Sequence, residues 1–337
     1  MEFGNPEMLL KSNSELKPIH PEKLEALANA EIILASIKNK EILTDDFTDE
    51  AKGGYTENDI ENDKERVRLR KEDFEKEQDH LSAEDRMKIN IGKKRGKALE
   101  AIAINMAGKR NQEGELWYNW YGRKAYVMET TEFDDICRGV DGVLEFDMGQ
   151  GQSHKIALAI DASMRVDMES VKRKMKRGAE NIANGKMEVK YFKSAVSGYK
   201  GKLKSVIPVV LGLEGDNANK LIRLFAQIVA LENKQGRSLE EDEDLAYKIH
   251  EAQKHPCQVV FLKEMKVQLE MYQKMFNRQG SFIKNDLIEL LKIVTALLDD
   301  KKNIHAGFLE SDGIHEMICE VAKQLPLERD EIIRGKK

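Results

Sequence analysis

Cysteine is scarce in this 337-residue chain. The 3 cysteines, Cys137, Cys257 and Cys319, are odd in number and far apart, which argues against a disulfide framework and for a reducing compartment. Long apolar runs are missing as well. Nothing approaches the roughly 18–20 residues that a bilayer crossing needs, so no membrane span is expected. The opening stretch, MEFGNPEMLLKSNSELKP, lacks a basic segment followed by an apolar one and does not read as a secretory signal. The expected location is therefore cytoplasmic. There is no internal repeat, no dinucleotide fingerprint, no P-loop lysine and no G-x-S-x-G motif. No pairing of cysteine with histidine suggests a nucleophile. His250, His255 and Cys257 form a loose H-x4-H-x-C group without the paired spacing of a zinc site. The net charge of −5 gives the whole chain no reason to bind nucleic acid, so any such argument has to be local.

What remains is a chain able to bury a core, with 41% hydrophobic residues, and one segment that cannot. Residues 45–84 are strongly acidic, contain Gly53-Gly54 and hold few large apolar groups, so they read as a charged linker or a solvated helix. Before them, residues 1–44 form an N-terminal segment whose stretch 21–40 has helical apolar spacing. Ser82 opens a helix running to about Lys109. The period then changes: 116–130, 137–147, 154–163, 187–194 and 204–213 read as strands, with a crossover helix at about 167–184. From 233 to 337 only helices follow. The expected fold is α/β, a mixed central sheet with flanking helices over 85–232 and an α-helical C-terminal region. The 154–163 strand, its helix and the 187–194 strand are expected to form a parallel βαβ unit.

The chemistry centres on the hairpin. If it turns symmetrically about residue 151, Asp141 faces Asp161, with Cβ atoms about 4.5–5.5 Å apart. Two carboxylates at the end of a buried strand repel, so one protonates, pairs with a base, or shares a cation, for which Mg²⁺ or Mn²⁺ is suited. A different register, or an Asp161 that only caps a turn or pairs with arginine, is the structural alternative. Glu145 and Asp147 fall on the Asp141 face and read as exposed residues toward the tip. Asp134 and Asp135 read as loop residues, either of which could be an outer ligand. By its helical position alone, Glu100 reads as solvent-facing.

A glutamate on a helix (KALEAIAI), an aspartate opening a strand (RGVDGVLEF), an acid ending the next (ALAIDAS), then a crossover helix and another strand together resemble the PD-(D/E)xK nuclease superfamily. The resemblance covers about residues 85–215. It implies a restriction-endonuclease-like core and phosphodiester hydrolysis, with Asp141 and Asp161 holding Mg²⁺ or Mn²⁺ and Glu100 assisting. The sequence departs from the motif at Ser163, where the family carries lysine. Lys172 and Lys176, one turn apart on the crossover helix, are the leading substitutes, and Lys155 is another. Without a substitute, the resemblance implies a catalytically inactive nucleic-acid- or protein-binding factor. The hairpin and following helix also resemble uncharacterised proteins of candidate bacterial lineages, which implies no function.

Between Arg165 and Lys204 there are 12 basic residues against 4 acidic ones, in a chain otherwise acidic. Lys172, Arg173, Lys174, Lys176 and Arg177 on that helix form a candidate nucleic-acid surface. Trp117, Tyr118, Trp120 and Tyr121 could stack on bases but read better as core. GLEGD at 212–216 opens a helix after a strand and lacks the residues for nucleotide binding. The stripe Phe261, Met265, Leu269, Met271, Tyr272 and Met275 reads as helix packing on helices; a homo-oligomer or a protein partner stays open.

Overall fold

The computed structural model describes residues 21–36, 47, 55–106, 118–161, 168–204, 206–276, 283–305 and 312–334, with main chain only at 105–106, 157–161 and 334. The described residues form a mixed α/β protein, a small mixed sheet with flanking helices. Helix α1 spans Pro21–Ser36, α2 Glu57–Lys76 and α3 Ala83–Ala101, the last continuing into a wider π turn at Ile102–Met106. Strands β1 (Ala125–Glu129), β2 (Gly142–Gly149) and β3 (Gln152–Asp161) follow. Then come the crossover helix α4 (Met168–Ala183), strands β4 (Glu188–Lys193), β5 (Lys200–Lys204) and β6 (Ile207–Gly212), and helix α5 (Gly215–Asn233). The C-terminal part is α6 (Leu239–Gln253), α7 (Cys257–Phe276), α8 (Ile283–Asp300), α9 (Gly313–Gln324) and a short α10 (Arg329–Arg334).

The segment that composition assigns to a linker contains a helix. Thr56 starts α2 with a reciprocal cap: its hydroxyl accepts the Asp59 N–H at 3.1 Å and the Asp59 carboxylate accepts the Thr56 N–H at 3.2 Å. Ile60, Asp63 and Val67 form its buried stripe. Asp63 pairs with the Lys190 ammonium and accepts the Tyr191 hydroxyl at 2.8 Å. That ammonium sits over the rings of Tyr55, Tyr191 and Phe133, with centroids 4.8, 5.3 and 5.5 Å away. The charged helix is thus fixed to β4 by one ion pair in an aromatic surround.

The main sheet has the order β1-β2-β3-β6, with β2 antiparallel to both neighbours and β3 parallel to β6. This corrects two expectations. The parallel partner of β3 across the helix is β6. Strand β4 instead pairs antiparallel with β5 in a separate ribbon. Val189 and Phe192 of that ribbon share an apolar cluster with Val140 and Val143 at the start of β2. The hairpin register also differs. Gly142 pairs with Leu158, so one further step would bring Asp141 beside residue 159, two short of Asp161. The cause lies at the tip. Gln150 and Gly151 turn with φ of 55° and 75°, and a bulge between Asp147 and Gly149 shifts the ladder. Asp147 stabilises that bulge by accepting the Gly149 N–H at 2.7 Å.

Strand β6 lies at the edge of the sheet, and α7 covers its free side. The Gln268 amide accepts the Val210 N–H at 2.8 Å and donates to the Val210 carbonyl at 2.7 Å. Glu264 accepts the Gly212 N–H at 3.1 Å. Gly178 lets α4 approach this layer closely: a Cβ there would lie 2.8 Å from the Tyr272 hydroxyl and 3.0 Å from Pro208 Cγ. Gly92 of α3, by contrast, has nothing within 4 Å of a built Cβ. Alanine is better than glycine inside a helix by about 0.5–1 kcal/mol, whereas forced overpacking costs about 1–3 kcal/mol. In urea denaturation, Gly92→Ala is therefore expected to raise the unfolding midpoint and Gly178→Ala to lower it.

Candidate functional site

Glu100 lies at the C-terminal end of α3, Asp135 in the π turn Asp134–Arg138, and Asp141 one residue before β2. One carboxylate oxygen from each lies within 4.8 Å of the other two. Three local features produce this convergence. The turn ends on Gly139 at φ 71°, a left-handed cap that favours glycine, and its N–H returns to the Asp135 carbonyl at 2.9 Å. The Asp141 carbonyl accepts the Thr130 N–H at 3.3 Å, extending the β1–β2 ladder by one rung. At Gly142 a Cβ would meet Ile104 Cδ1 at 2.9 Å and the Met128 carbonyl at 3.2 Å, so glycine lets the π turn after α3 lie this close to β2 without displacing Ile104. Glu100 is buried at 9% exposure, which overturns its solvent-facing reading; Asp135 and Asp141 are half-buried.

Lys97 joins the cluster, its ammonium 3.9 Å from Asp135 Oδ2. Sequence reasoning passed over it, although Lys97 and Glu100 stand at i, i+3 on one helix. Beside the acids is a cavity of about 200 Å³ whose lining includes Arg138, Asp141, Lys174 and Arg177, with buried Met187 and Tyr272. Lys174 and Arg177 are exposed.

Other expected residues go elsewhere. Lys172 and Lys176 both bind Glu328, at 2.7 and 3.5 Å. Lys155 donates to Ser153 Oγ at 2.6 Å and lies 3.4 Å from Glu145. Arg173 is exposed on α4 and 3.4 Å from Ser170 Oγ. The main chain of Asp161 pairs with Gly212, while its carboxylate, Ser163 and Trp117 lie outside the described atoms.

Glu145 is a second correction, for it is fully buried. Ser153 Oγ and Ser194 Oγ donate to it at 2.7 Å each and the Ala195 N–H at 2.9 Å, so it fixes the turn between β4 and β5. Burial alone would raise its carboxyl; the two hydroxyls, Lys155 and the Ala195 N–H outweigh that and hold it below the usual range. Asp134, also fully buried, accepts the Lys190 and Tyr191 N–H groups at 2.8 and 3.0 Å. Burial pushes its carboxyl up against those bonds. Tyr118, Trp120 and Tyr121 are core residues, Trp120 donating to the Ala252 carbonyl at 2.8 Å.

His255 stacks on Trp120, accepts the Cys257 N–H at 3.3 Å, and is lowered by burial to about 4. Comparison of the chain with family models, with curated proteins and with solved structures returns no match. The His255 shift sets an acid limit. As the pH falls below 6.5, the unfolded chain takes up a proton that the folded chain refuses until about pH 4. Folding stability should fall by about 3 kcal/mol across that window through this group, and His255→Gln should flatten the fall in a pH series of urea midpoints.

Proposed function

We propose that this protein is a metal-dependent nuclease-like phosphodiesterase acting on DNA or RNA, with its acids at Glu100, Asp135 and Asp141 and a further acid at Asp161. The convergence of three carboxylates from three separate elements, beside a cavity edged by basic residues, carries this reading. The order of elements supports it. A helix bearing Glu100, a strand, a strand entered from Asp141, a strand ending at Asp161, a crossover helix and a parallel strand follow the PD-(D/E)xK pattern.

The three acids suit a hard divalent ion, since like charges this close repel and oxygen donors favour Mg²⁺ or Mn²⁺. Such an ion, when bound, supplies an activated water and neutralises phosphate charge. Lys97 takes the part left open by Ser163, an ammonium at the acids that orients the attacking water. Lys174 and Arg177 hold phosphate oxygens along the cavity, with Arg173 further along the same helix. No described helix is long and apolar enough to cross a membrane.

The second reading is a non-cutting nucleic-acid- or protein-binding factor. It is favoured by Ser163 and by the engagement of Lys172 and Lys176 with Glu328.

Incubation with labelled single- and double-stranded DNA and RNA in Mn²⁺ or Mg²⁺ tests the two. On the enzymatic reading the parent cleaves, EDTA stops it, and Asp141→Asn, Asp161→Ala, Glu100→Gln and Lys97→Met each lower the rate by about 100-fold or more. Equal cleavage by the parent and Asp161→Ala would instead reveal a contaminant. No cleavage, with salt-dependent binding lost on Lys174→Glu and Arg177→Glu, would establish the second reading for nucleic acid.

A further inference from the structure

Helix α9 carries His315 and Cys319 one turn apart, and the sulfur of Cys319 lies 3.7 Å from His315 Nε2. On its other side, His315 Nδ1 faces Glu264 Oε1 of α7 at 3.6 Å. Glu264 is fully buried and His315 is 9% exposed. Neither Glu264 Oε1 nor His315 Nδ1 has a hydrogen-bond partner, so each buried atom is aimed at the other across a gap slightly too long for a bond. The linear order of thiol, imidazole and carboxylate was not expected from the scattered cysteines.

The surroundings hold this line in place. Asp312 caps α9 by accepting the Ile314 N–H at 3.0 Å, and ties that cap to the start of α5 through the Glu214 N–H at 2.8 Å and the Asn217 side chain at 2.8 Å. Glu264 Oε2 is fixed by the Gly212 N–H at the end of β6. A buried carboxylate and imidazole cost desolvation that a pair of apolar side chains would avoid, so packing alone does not account for them. Burial by itself would lower His315, yet the thiol and the carboxylate carry it up to about 10, so the ring holds its proton at neutral pH beside the sulfur. Cys319 is half-exposed and reachable, whereas Cys257 is fully buried.

We propose that Cys319, His315 and Glu264 form a reactive-thiol site whose sulfur reacts with small electrophiles, hydroperoxides in particular. The imidazolium of His315 donates through Nε2 to the sulfur and stabilises the thiolate formed when the thiol gives its proton to solvent, the ring regains from solvent any proton it later gives up, and Glu264 fixes the ring's orientation. With hydrogen peroxide, the sulfur attacks one peroxide oxygen, the S–O bond forms as the O–O bond breaks, and the departing hydroxide takes the proton from His315. One thiol and one peroxide give one sulfenic acid and one water; sulfur is oxidised and peroxide reduced. This site is independent of the phosphodiesterase reading and needs neither metal nor nucleic acid.

The test uses the full chain with its three thiols reduced, treated with excess iodoacetamide and read by mass spectrometry of the separate cysteine peptides. Cys319 is expected to alkylate roughly tenfold faster than Cys137, which is also half-exposed, and to be the first thiol trapped as sulfenic acid after dilute peroxide. His315→Gln should bring the Cys319 rate down to that of Cys137. Glu264→Gln, which keeps the acceptor for Gly212, should give an intermediate rate. A Cys319 rate in the parent protein no higher than that of Cys137 overturns the proposal without recourse to any variant. So does an unchanged rate in a folded His315→Gln protein.

Discussion

A carboxylate taken out of water needs hydrogen-bond donors for its lone pairs, and in this acid-rich chain the nearest donors are main-chain N–H groups. That requirement recurs at four junctions among the described residues. Asp134 takes two N–H groups of β4, Glu145 takes the turn after it, Glu264 takes the end of β6, and Asp312 ties α9 to the start of α5. Each bond joins elements far apart in sequence and adds to the apolar contacts at the same junctions. The separate ribbon of β4 and β5 is positioned against β2 by Glu145 as much as by its apolar face. Glu100, Asp135 and Asp141 are of another kind, because their oxygens converge on one another.

Much of this was legible in the sequence, for identifiable reasons. The crossover helix follows from apolar spacing, its observed limits within a residue of the expected 167–184, and the described C-terminal elements are helical as expected. Two strands follow the crossover helix, and the nearer one, EVKYFK, was taken as the return to β3 although the continuous apolar run IPVVLG is the pattern of a strand covered on both faces. The structure selects β6 and leaves β4 to a ribbon. The hairpin register was missed because a bulge beside Asp147 is invisible to a symmetrical reading. Glu145 was read as exposed because its partners, Ser194 and Ala195, are 49 and 50 residues away. The cysteine–histidine contact was available in principle, since His315 and Cys319 stand at i, i+4. Glu264, which completes the line, comes from a different helix and could not be seen.

The acidic site shows the same division. Asp141 and Glu100 come together, but through another geometry than expected: Asp141 meets the end of α3 and the π turn, whereas the expectation set it across the ladder from Asp161. Asp135 owes its place to the wider turn that follows Phe133; Gly139 supplies the left-handed φ that ends it, and Gly142 the close approach to Ile104. The basic helix, expected as a nucleic-acid surface, keeps Arg173, Lys174 and Arg177 exposed. Its cations divide between two neighbours, Lys172 and Lys176 toward Glu328, Lys174 and Arg177 toward the cavity. A face that seems uniform in sequence therefore has two unlike sides.

The amide of Gln268 has a consequence for assembly. By accepting and donating at Val210 it imitates a neighbouring strand, so the outer rim of β6 presents no free pair of groups there for another chain to match. The sheet is ended at that side by a side chain that copies a peptide bond. Growth of the sheet by strand addition from a second molecule would, among the described strands, have to begin at β1 or on the small ribbon. Replacing that one amide with an aliphatic group would leave the Val210 main-chain groups without that partner beneath α7, a buried loss that weakens the border from within.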